Sequence, residues 1–349
     1  MTKATGLPAV SSFDFAQLLL VWHKKHGRTG LPWQSIRDPY RVWLSEIMLQ
    51  QTQVITVKEY YARFLKRFPT VADLAAASQD DVLALWAGLG YYSRARNLHA
   101  CAKAVMSLHG GEFPHSAEQL QTLPGIGPST AAAVASFCFG ERVAILDGNV
   151  KRVLTRVLGF EKDLAASKHE RELLATANDL LPKRDLASSM PRYTQAIMDL
   201  GATVCTPRQP SCQACPFDRH CVAKAQSKVQ DYPVKTKKLK RSSQSLWLLW
   251  AQRKDGAVLL QKRPMPGVWA GLYCLPLFES LEALESSLPA KQKSALKALA
   301  PFVHVLTHKD LHLHVLTLES SPALPALGDW VEDWRRVGLP APVKKLLSA

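Results

Sequence analysis

Nowhere in the 349 residues does an apolar run approach the roughly 18 residues of a membrane span. With 47% hydrophobic and 21% charged residues, the chain reads as soluble and globular, so disorder and membrane insertion are both excluded. The apolar stretch Leu18 to Trp22 is shorter than a signal-peptide core and ends in His23, Lys24 and Lys25, which gives no sign of export. Cysteine is scarce and odd in number: seven, four of them within the 17 residues from Cys205 to Cys221 and the others at 101, 138 and 274. A secreted disulfide framework is not built that way. Acid is short as well. Against 44 Lys+Arg there are 29 Asp+Glu, a net charge of +15, which suits a polyanionic partner; nucleic acid leads and an anionic membrane surface follows. There is no internal repeat, and no low-complexity segment beyond one basic stretch.

The length is about twice that of a usual domain, so roughly two domains are expected. From about Phe13 to Ala225 the chain reads as a succession of helices. Tyr40, Trp43, Leu44, Ile47 and Met48 fall at helical spacing on a helix read from Tyr40 to Gln53, and Val150, Val153, Leu154, Val157 and Leu158 repeat the pattern. Between Ser227 and Ser243 the periodicity lapses into SKVQDYPVKTKKLKRSS, whose charges, proline and serines suit an exposed tether. This divides the chain into a helical domain 1–226, a basic linker 227–243 and a second domain 244–349; a solvated loop inside one domain is the other reading. Beyond the linker come short β-type runs, Ser245 to Trp250, Val258 to Gln261 and His312 to Leu318, with turn signals at Asp255-Gly256 and Pro264 to Gly267. A helix from about Leu281 to Ala300 interrupts them, giving a small α+β domain.

Cys205, Cys212, Cys215 and Cys221 follow the pattern C-x6-C-x2-C-x5-C. Four thiolates drawn together by one loop suit a tetrahedral metal or a cubane cluster at little entropic cost. On chemistry alone structural zinc stays open beside iron and sulfide, because thiolate softness suits either. The spacing resembles the cluster loop of the endonuclease III superfamily of DNA glycosylases. That resemblance implies a 4Fe-4S cluster, which orders a basic loop against DNA and does not touch the base. Pro207, Arg208, Pro216, Arg219 and Lys224 surround the cysteines, as a phosphate-facing loop requires.

Ser116 and Gln119 form a capping-box pattern ahead of Leu123-Pro124-Gly125-Ile126-Gly127, and a second helix begins at Pro128 or Ser129 and runs to Phe139, with Gly140 as its stop. Two short helices joined by a glycine turn offer backbone N–H groups and a positive helix end to a phosphate. Plain packing of two helices is the alternative. Beside the cysteine loop, residues 116–140 read as a helix-hairpin-helix DNA-binding motif, with Gly125, Gly127 and Ser129 at the DNA backbone.

Asp147 follows in Ile145-Leu146-Asp147-Gly148-Asn149-Val150, placed to cap the next helix, a role that is usually only structural. Glu46 lies on the Tyr40 helix, where a lone Glu is usually a solvated face. The strings VWLSEIMLQQTQV, from Val42 to Val54, and GLGYYSRARNL, from Gly88 to Leu98, change both readings, because they closely resemble adenine DNA glycosylases of the MutY type over nearly the whole chain. In the superfamily an Asp about 20 residues past the hairpin turn lies beside the sugar of the extruded nucleotide, and Asp147 stands 20 residues past Gly127. The resemblance implies removal of adenine mispaired with 8-oxoguanine or guanine. Adenine leaves poorly as an anion, so Glu46 would protonate it while Asp147 stabilises oxocarbenium character on the deoxyribose. Asn149 would orient Glu46. The base must be flipped out, with Gln51 and Tyr91 propping the vacated stack, Trp33, Leu49 and Gln195 around the adenine, and Thr52 and Leu89 at the opposite base. Trp33 reads equally well as core.

The C-terminal half resembles the Nudix-like domain of the same family through Val268-Trp269-Ala270-Gly271-Leu272-Tyr273 and Leu275-Pro276. The glutamate-rich box R-E-x-x-E-E of a working Nudix hydrolase is missing from Leu281 to Ala300, so no pyrophosphohydrolase activity is expected. The domain is expected instead to bind the lesion strand. Where many members carry Phe-Ser-His, this chain has Leu306-Thr307-His308; Thr307 keeps a hydroxyl for 8-oxoguanine, while Leu306 gives up an aromatic surface worth about 1 kcal/mol. Histidines at 304, 308, 312 and 314 alternate along a strand and read as solvated or DNA-facing before they read as a metal site. The expectation is a mainly α helix-hairpin-helix glycosylase domain with an iron-sulfur cluster loop, followed by an α+β Nudix-like domain. It would act as a monofunctional glycosylase on double-stranded DNA, as a monomer, in the bacterial cytoplasm at the nucleoid. A thymine or oxidised-pyrimidine glycosylase and a non-catalytic cluster-containing DNA-binding protein are the rivals.

Overall fold

The computed structural model describes residues 13–236, 240–319, 324 and 327–348; the first twelve residues of the helical domain and Lys237, Lys238 and Leu239 of the linker lie outside them. The described residues form two compact units, one drawn from 13–61, 70–72 and 100–236 and the other from 62–69, 73–99 and 240–348. The helices in chain order are α1 (Phe15–His26), α2 (Pro39–Leu49), α3 (Val54–Arg67), α4 (Val71–Ala76), α5 (Gln79–Trp86) and α6 (Ser93–His109). Then come α7 (Ala117–Leu120), α8 (Pro128–Val134), α9 (Gly148–Leu158), α10 (Ser167–Asp179), α11 (Leu186–Thr203) and α12 (Val222–Ala225). None of the described helices is long and apolar enough to cross a membrane.

In the first unit α1, α2, α7 and α9 begin where the side chain of Asp14, Asp38, Ser116 or Asp147 accepts a free N–H of the first turn, and α8 begins on a proline, which has no N–H to satisfy. Asp38 accepts the Arg41 N–H at 3.2 Å and Pro39 opens α2, a pairing of cap and pre-set φ that starts a helix at low cost. α2 then buries Tyr40, Trp43, Leu44, Ile47 and Met48. It stops at Leu49, short of the Gln53 expected from the periodicity, because Gln51 takes a left-handed backbone, φ +57°, that a helix cannot accommodate. α9 runs from Asp147, whose carboxylate accepts the Val150 N–H at 2.7 Å, to Gly159 at φ +64°. Its buried face, Val150, Val153, Leu154, Val157 and Leu158, meets Leu19 of α1 and Met190, Ile197 and Leu200 of α11 in one core. Each such side chain contributes about 1.5–3 kcal/mol when fully buried.

The hairpin's second helix is α8, and its last turn, Ala135–Phe139, widens to a π turn before Gly140 closes it at φ +69°. The start of the linker is not free chain: Tyr232 is buried, with its hydroxyl donating to Glu161 at 3.2 Å, and Leu164 N–H donates to the Val234 carbonyl at 3.0 Å.

Among the described residues the second unit carries an eight-stranded sheet: β1 (Ser242–Gln252), β2 (Val258–Lys262), β3 (Tyr273–Cys274), β4 (Leu277–Phe278), β5 (Lys297–Ala298), β6 (Phe302–Val305), β7 (Lys309–Glu319) and β8 (Asp329–Val331). The long strands β1 and β7 run parallel at its centre, paired from Ser242 with Lys309 to Gln252 with Glu319. Outward from them the order is β3-β2-β1-β7-β5, with β4 on β1, β6 on β7 and β8 on β2. The helix expected from Leu281 to Ala300 is instead two short ones, α13 (Leu281–Ser286) and α14 (Ala290–Lys293), followed by β5. Pro289 lies between them, and a proline in mid-helix loses a hydrogen bond and clashes with the preceding turn. α15 (Ala341–Leu347) closes the chain.

Where α9 crosses α11, a Cβ on Gly201 would lie 2.7 Å from the Asn149 Cβ and 3.1 Å from its carbonyl oxygen. Gly201→Ala should therefore overpack the crossing and cost about 1–3 kcal/mol, lowering the thermal midpoint by several degrees. Gly148→Ala, which meets open space, should leave that midpoint unchanged or raise it; equal midpoints for the two variants would show that the crossing yields freely.

Candidate active site

In the first unit, Glu46, Asp147, Asn149, Trp33, Leu49 and Gln195 line one cavity of about 1250 Å³, which also takes in Gln51, Thr52 and Ser129. α2 delivers Glu46 half-buried at the wall, because its neighbours Trp43, Leu44, Ile47 and Met48 hold the helix against the core. Burial first, and the charge of Asp147 second, push the Glu46 carboxyl up from the usual 4.5 to about 7. A carboxyl group tuned this way holds a proton near neutral pH and can give it up, as a general acid must. Asp147 is fixed by its capping bond at the positive end of α9.

Asn149 is held through Arg152, whose Nη2 donates to Asn149 Oδ1 and to the Gly201 carbonyl, both at 2.7 Å, while Nε donates to the Cys205 carbonyl at 2.7 Å. With its oxygen so engaged, Asn149 has its NH2 group to offer a carboxylate. Trp33 is core by burial, edge-on to Tyr61 at 5.4 Å, and lines the cavity by position. Gln195 Nε2 donates to Asp199 Oδ1 at 2.7 Å.

Three cavity neighbours escaped the sequence reading. His23 and Arg28 line the wall, and Asp199 stands behind it, fully buried, taking Arg28 Nε at 2.8 Å, the Arg28 N–H at 2.9 Å and His23 Nε2 at 3.2 Å. The one available signal was an Asp on the apolar stripe of α11, between Ile197 and Leu200. Arg152 escaped too, since a basic residue in an amphipathic helix is ordinarily solvated.

At the hairpin, Ser116 Oγ accepts the Gln119 N–H at 3.3 Å, and Glu141 accepts the Ala117 N–H at 2.7 Å. Leu123 and Ile126 are buried, Gly125 turns the chain at φ +74°, and a Cβ at Gly127 would meet nothing within 4 Å. That leaves the α8 N-terminus open to an approaching phosphate oxygen.

Cys205, Cys212, Cys215 and Cys221 line a second cavity of about 20 Å³. Arg156, almost fully buried, braces its rim, donating to the Thr206 carbonyl at 2.7 Å and the Pro207 carbonyl at 3.1 Å. Burial pushes the Cys215 thiol up to about 12, a cost that coordination to a cation would reverse. Among the described residues no three His, Cys, Asp or Glu side chains are grouped as for one metal ion. By its chemistry the four-thiol donor set lining one pocket fits a cluster that takes one thiolate per iron.

The remaining predicted residues lie in the second unit. Leu89 is buried, and its carbonyl, with that of Gly90, accepts from Arg94 Nη2 at 3.1 and 3.2 Å. Tyr91 is 41% exposed at φ +47°, and its hydroxyl meets Thr307 Oγ1. On the sheet, His314 stacks on Trp247 at 4.7 Å, His304 is half-buried, and His308 and His312 are exposed.

Residues 44–179 match a family model described as HhH-GPD superfamily base excision DNA repair protein, and residues 247–349 match a NUDIX domain model. The adenine DNA glycosylase of Buchnera aphidicola subsp. Acyrthosiphon pisum is 33% identical over 354 residues, covering 97% of this chain and 98% of that one. The adenine DNA glycosylase of Homo sapiens is 43% identical over 219 residues, 60% of this chain and 39% of its own. Among solved structures, a thermostable thymine-DNA glycosylase is similar at TM-score 0.53 and 27% identity, over 61% of this chain and 95% of that one. A non-covalent endonuclease III–DNA complex shares the fold at TM-score 0.50 and 22% identity, over 60% of this chain and 95% of that one. Similarity reaching across nearly the whole of both chains means that this chain belongs to the adenine DNA glycosylase family, with an N-terminal HhH-GPD fold and a C-terminal Nudix-like domain.

Proposed function

We propose that the chain, an adenine DNA glycosylase, removes adenine opposite 8-oxoguanine or guanine by flipping it into the cavity of the first unit. The observation that carries the reading is a Glu46 carboxyl held near pH 7 in the same cavity as Asp147. Glu46 protonates the departing base, Asp147 stabilises the cationic sugar and Asn149 orients the acid. Trp33, Leu49 and Gln195 surround the adenine. Gln51 and Tyr91 fill the vacated stack, Thr52 and Leu89 meet the opposite base, and Thr307 reads 8-oxoguanine. Gly125, Gly127 and Ser129 seat a DNA phosphate through backbone N–H groups.

Cys205, Cys212, Cys215 and Cys221 would hold a 4Fe-4S cluster, supported by their spacing and shared cavity; when bound it staples the basic loop. The domains divide at 227–243, and the protein works as a monomer on the nucleoid in the bacterial cytoplasm. Duplex panels decide the substrate: strong release from A·8-oxoG and A·G with none from T·G is expected. Release from T·G alone would favour a mismatch thymine glycosylase, and no abasic product from any duplex would favour a non-catalytic binding protein.

Glu46→Gln and Asp147→Asn should each lower single-turnover excision by about 10²–10⁴-fold with duplex affinity little changed. Because Glu46 works protonated, wild-type excision should fall as pH rises through about 7. Removing the Asp147 charge takes away one cause of the raised value, so the residual activity of Asp147→Asn should show that fall at lower pH. A limb that stays in place would separate Glu46 from the titration.

Ser129 lines the cavity but has no amine with which to attack C1′, so base release should leave an intact abasic strand. Ser129→Lys should add alkali-independent nicking and a borohydride-trapped adduct. Efficient nicking by the wild-type protein would show that another amine reaches the sugar.

A further inference from the structure

Asp199 is fully buried on α11, and its carboxylate has four hydrogen bonds, with His23, Gln195 and twice Arg28, beside an ion pair with Arg28 Nη2 at 2.8 Å; these three residues line the cavity although Asp199 does not. Gln195 stands one helical turn before it, with Nε2 donating to Oδ1 at 2.7 Å, and Arg28 Nε reaches the same oxygen at 2.8 Å. A side-chain amide has two orientations about its last bond, one with NH2 toward a neighbour and one with the carbonyl oxygen. An ionised carboxylate accepts only, so it holds Gln195 with NH2 inward and Oε1 as the acceptor left for the cavity. Burial alone would raise the Asp199 pKa, but the hydrogen bonds from His23, Arg28 and Gln195 and the Arg28 charge outweigh it and hold the group below the usual carboxylate value.

We propose that Asp199 is a positioning residue that locks the Gln195 amide, and the Arg28 guanidinium beside it, so that the cavity offers a fixed acceptor to a purine carrying a 6-amino group and rejects one carrying a 6-keto group. The inference rests on the glycosylase reading above and adds the element that sets the polarity of the pocket wall. A freely turning amide could meet an amino group with its oxygen or a keto group with its NH2, and would discriminate poorly. One locked by a buried anion cannot turn without facing oxygen against oxygen.

The test compares single-turnover release of adenine and of hypoxanthine placed opposite guanine in otherwise identical duplexes, using full-length protein with its cluster. Asp199→Asn should reduce the adenine-over-hypoxanthine preference at least about tenfold, the scale of one lost charge-assisted hydrogen bond, while duplex affinity stays within about twofold. In a Gln195→Met background the same Asp199 change should cause no further loss of preference. A merely structural role would instead lower both rates together and add to the Gln195 effect. If Asp199→Asn does not yield folded protein, Gln195→Met alone should lose the preference with stability retained, since the His23 and Arg28 contacts to Asp199 remain. Unchanged preference in either single variant, or additive losses in the double variant, would overturn the proposal. Wild-type protein that releases no base from any duplex would overturn the glycosylase reading, and this inference with it.

Discussion

The close crossing of α9 and α11 is the constraint on which the rest of the first unit depends. It is possible because residue 201 has no side chain, which lets Asn149 pack against the backbone of α11. From that contact α9 projects Asp147 at its start and α11 carries Gln195 to the same cavity, with Asp199 buried behind it. Arg152 then ties the crossing to the cysteine loop, spending one guanidinium on Asn149, Gly201 and Cys205. A buried guanidinium needs acceptors for its donors, so any shift of one helix against the other breaks several hydrogen bonds at once. Cavity and cysteine loop are thus set by one piece of packing.

The carboxyl groups in and behind the cavity differ through their surroundings rather than their chemistry. Glu46, on an apolar helix face and near another anion, is pushed toward neutrality, whereas Asp199, deeper still, is held charged by an arginine and a histidine. Burial raises both; the partners decide the outcome. In the proposed reaction the first of these carboxyls moves a proton, while the second stays an acceptor that orients its neighbours.

Much of this was legible in the sequence, for identifiable reasons. The cysteine spacing, the LPGIG turn and the periodic stripe of α9 are local patterns, and local patterns determine helix starts, turns and loop chemistry directly. The parallel β1–β7 pair follows less easily, since two runs some sixty residues apart carry no mark of their mutual direction. Pro289 announced a break that the apolar pattern of Leu281 to Ala300 concealed. Gln51 needed a backbone sign that composition does not encode. Asp199, Arg152 and Arg28 were hidden because their meaning lies wholly in tertiary partners: each is an ordinary polar residue until the helix it faces is known.

Gln51 and Tyr91 share one further property, a left-handed backbone at a residue other than glycine. Such a conformation is disfavoured by about 1 kcal/mol or more in an L-residue, and it is maintained here at Tyr91 by Trp86 Nε1 donating to the Gly90 carbonyl at 3.0 Å and by Arg94 lying against both rings. Folding therefore sets the tip of each corner before any duplex arrives. In the stack-filling role proposed for them, residues already held in their working shape lose less conformational freedom on entering a base stack. Under the proposed reading of Gln51 and Tyr91, stiffness at these two corners translates into a faster search along DNA.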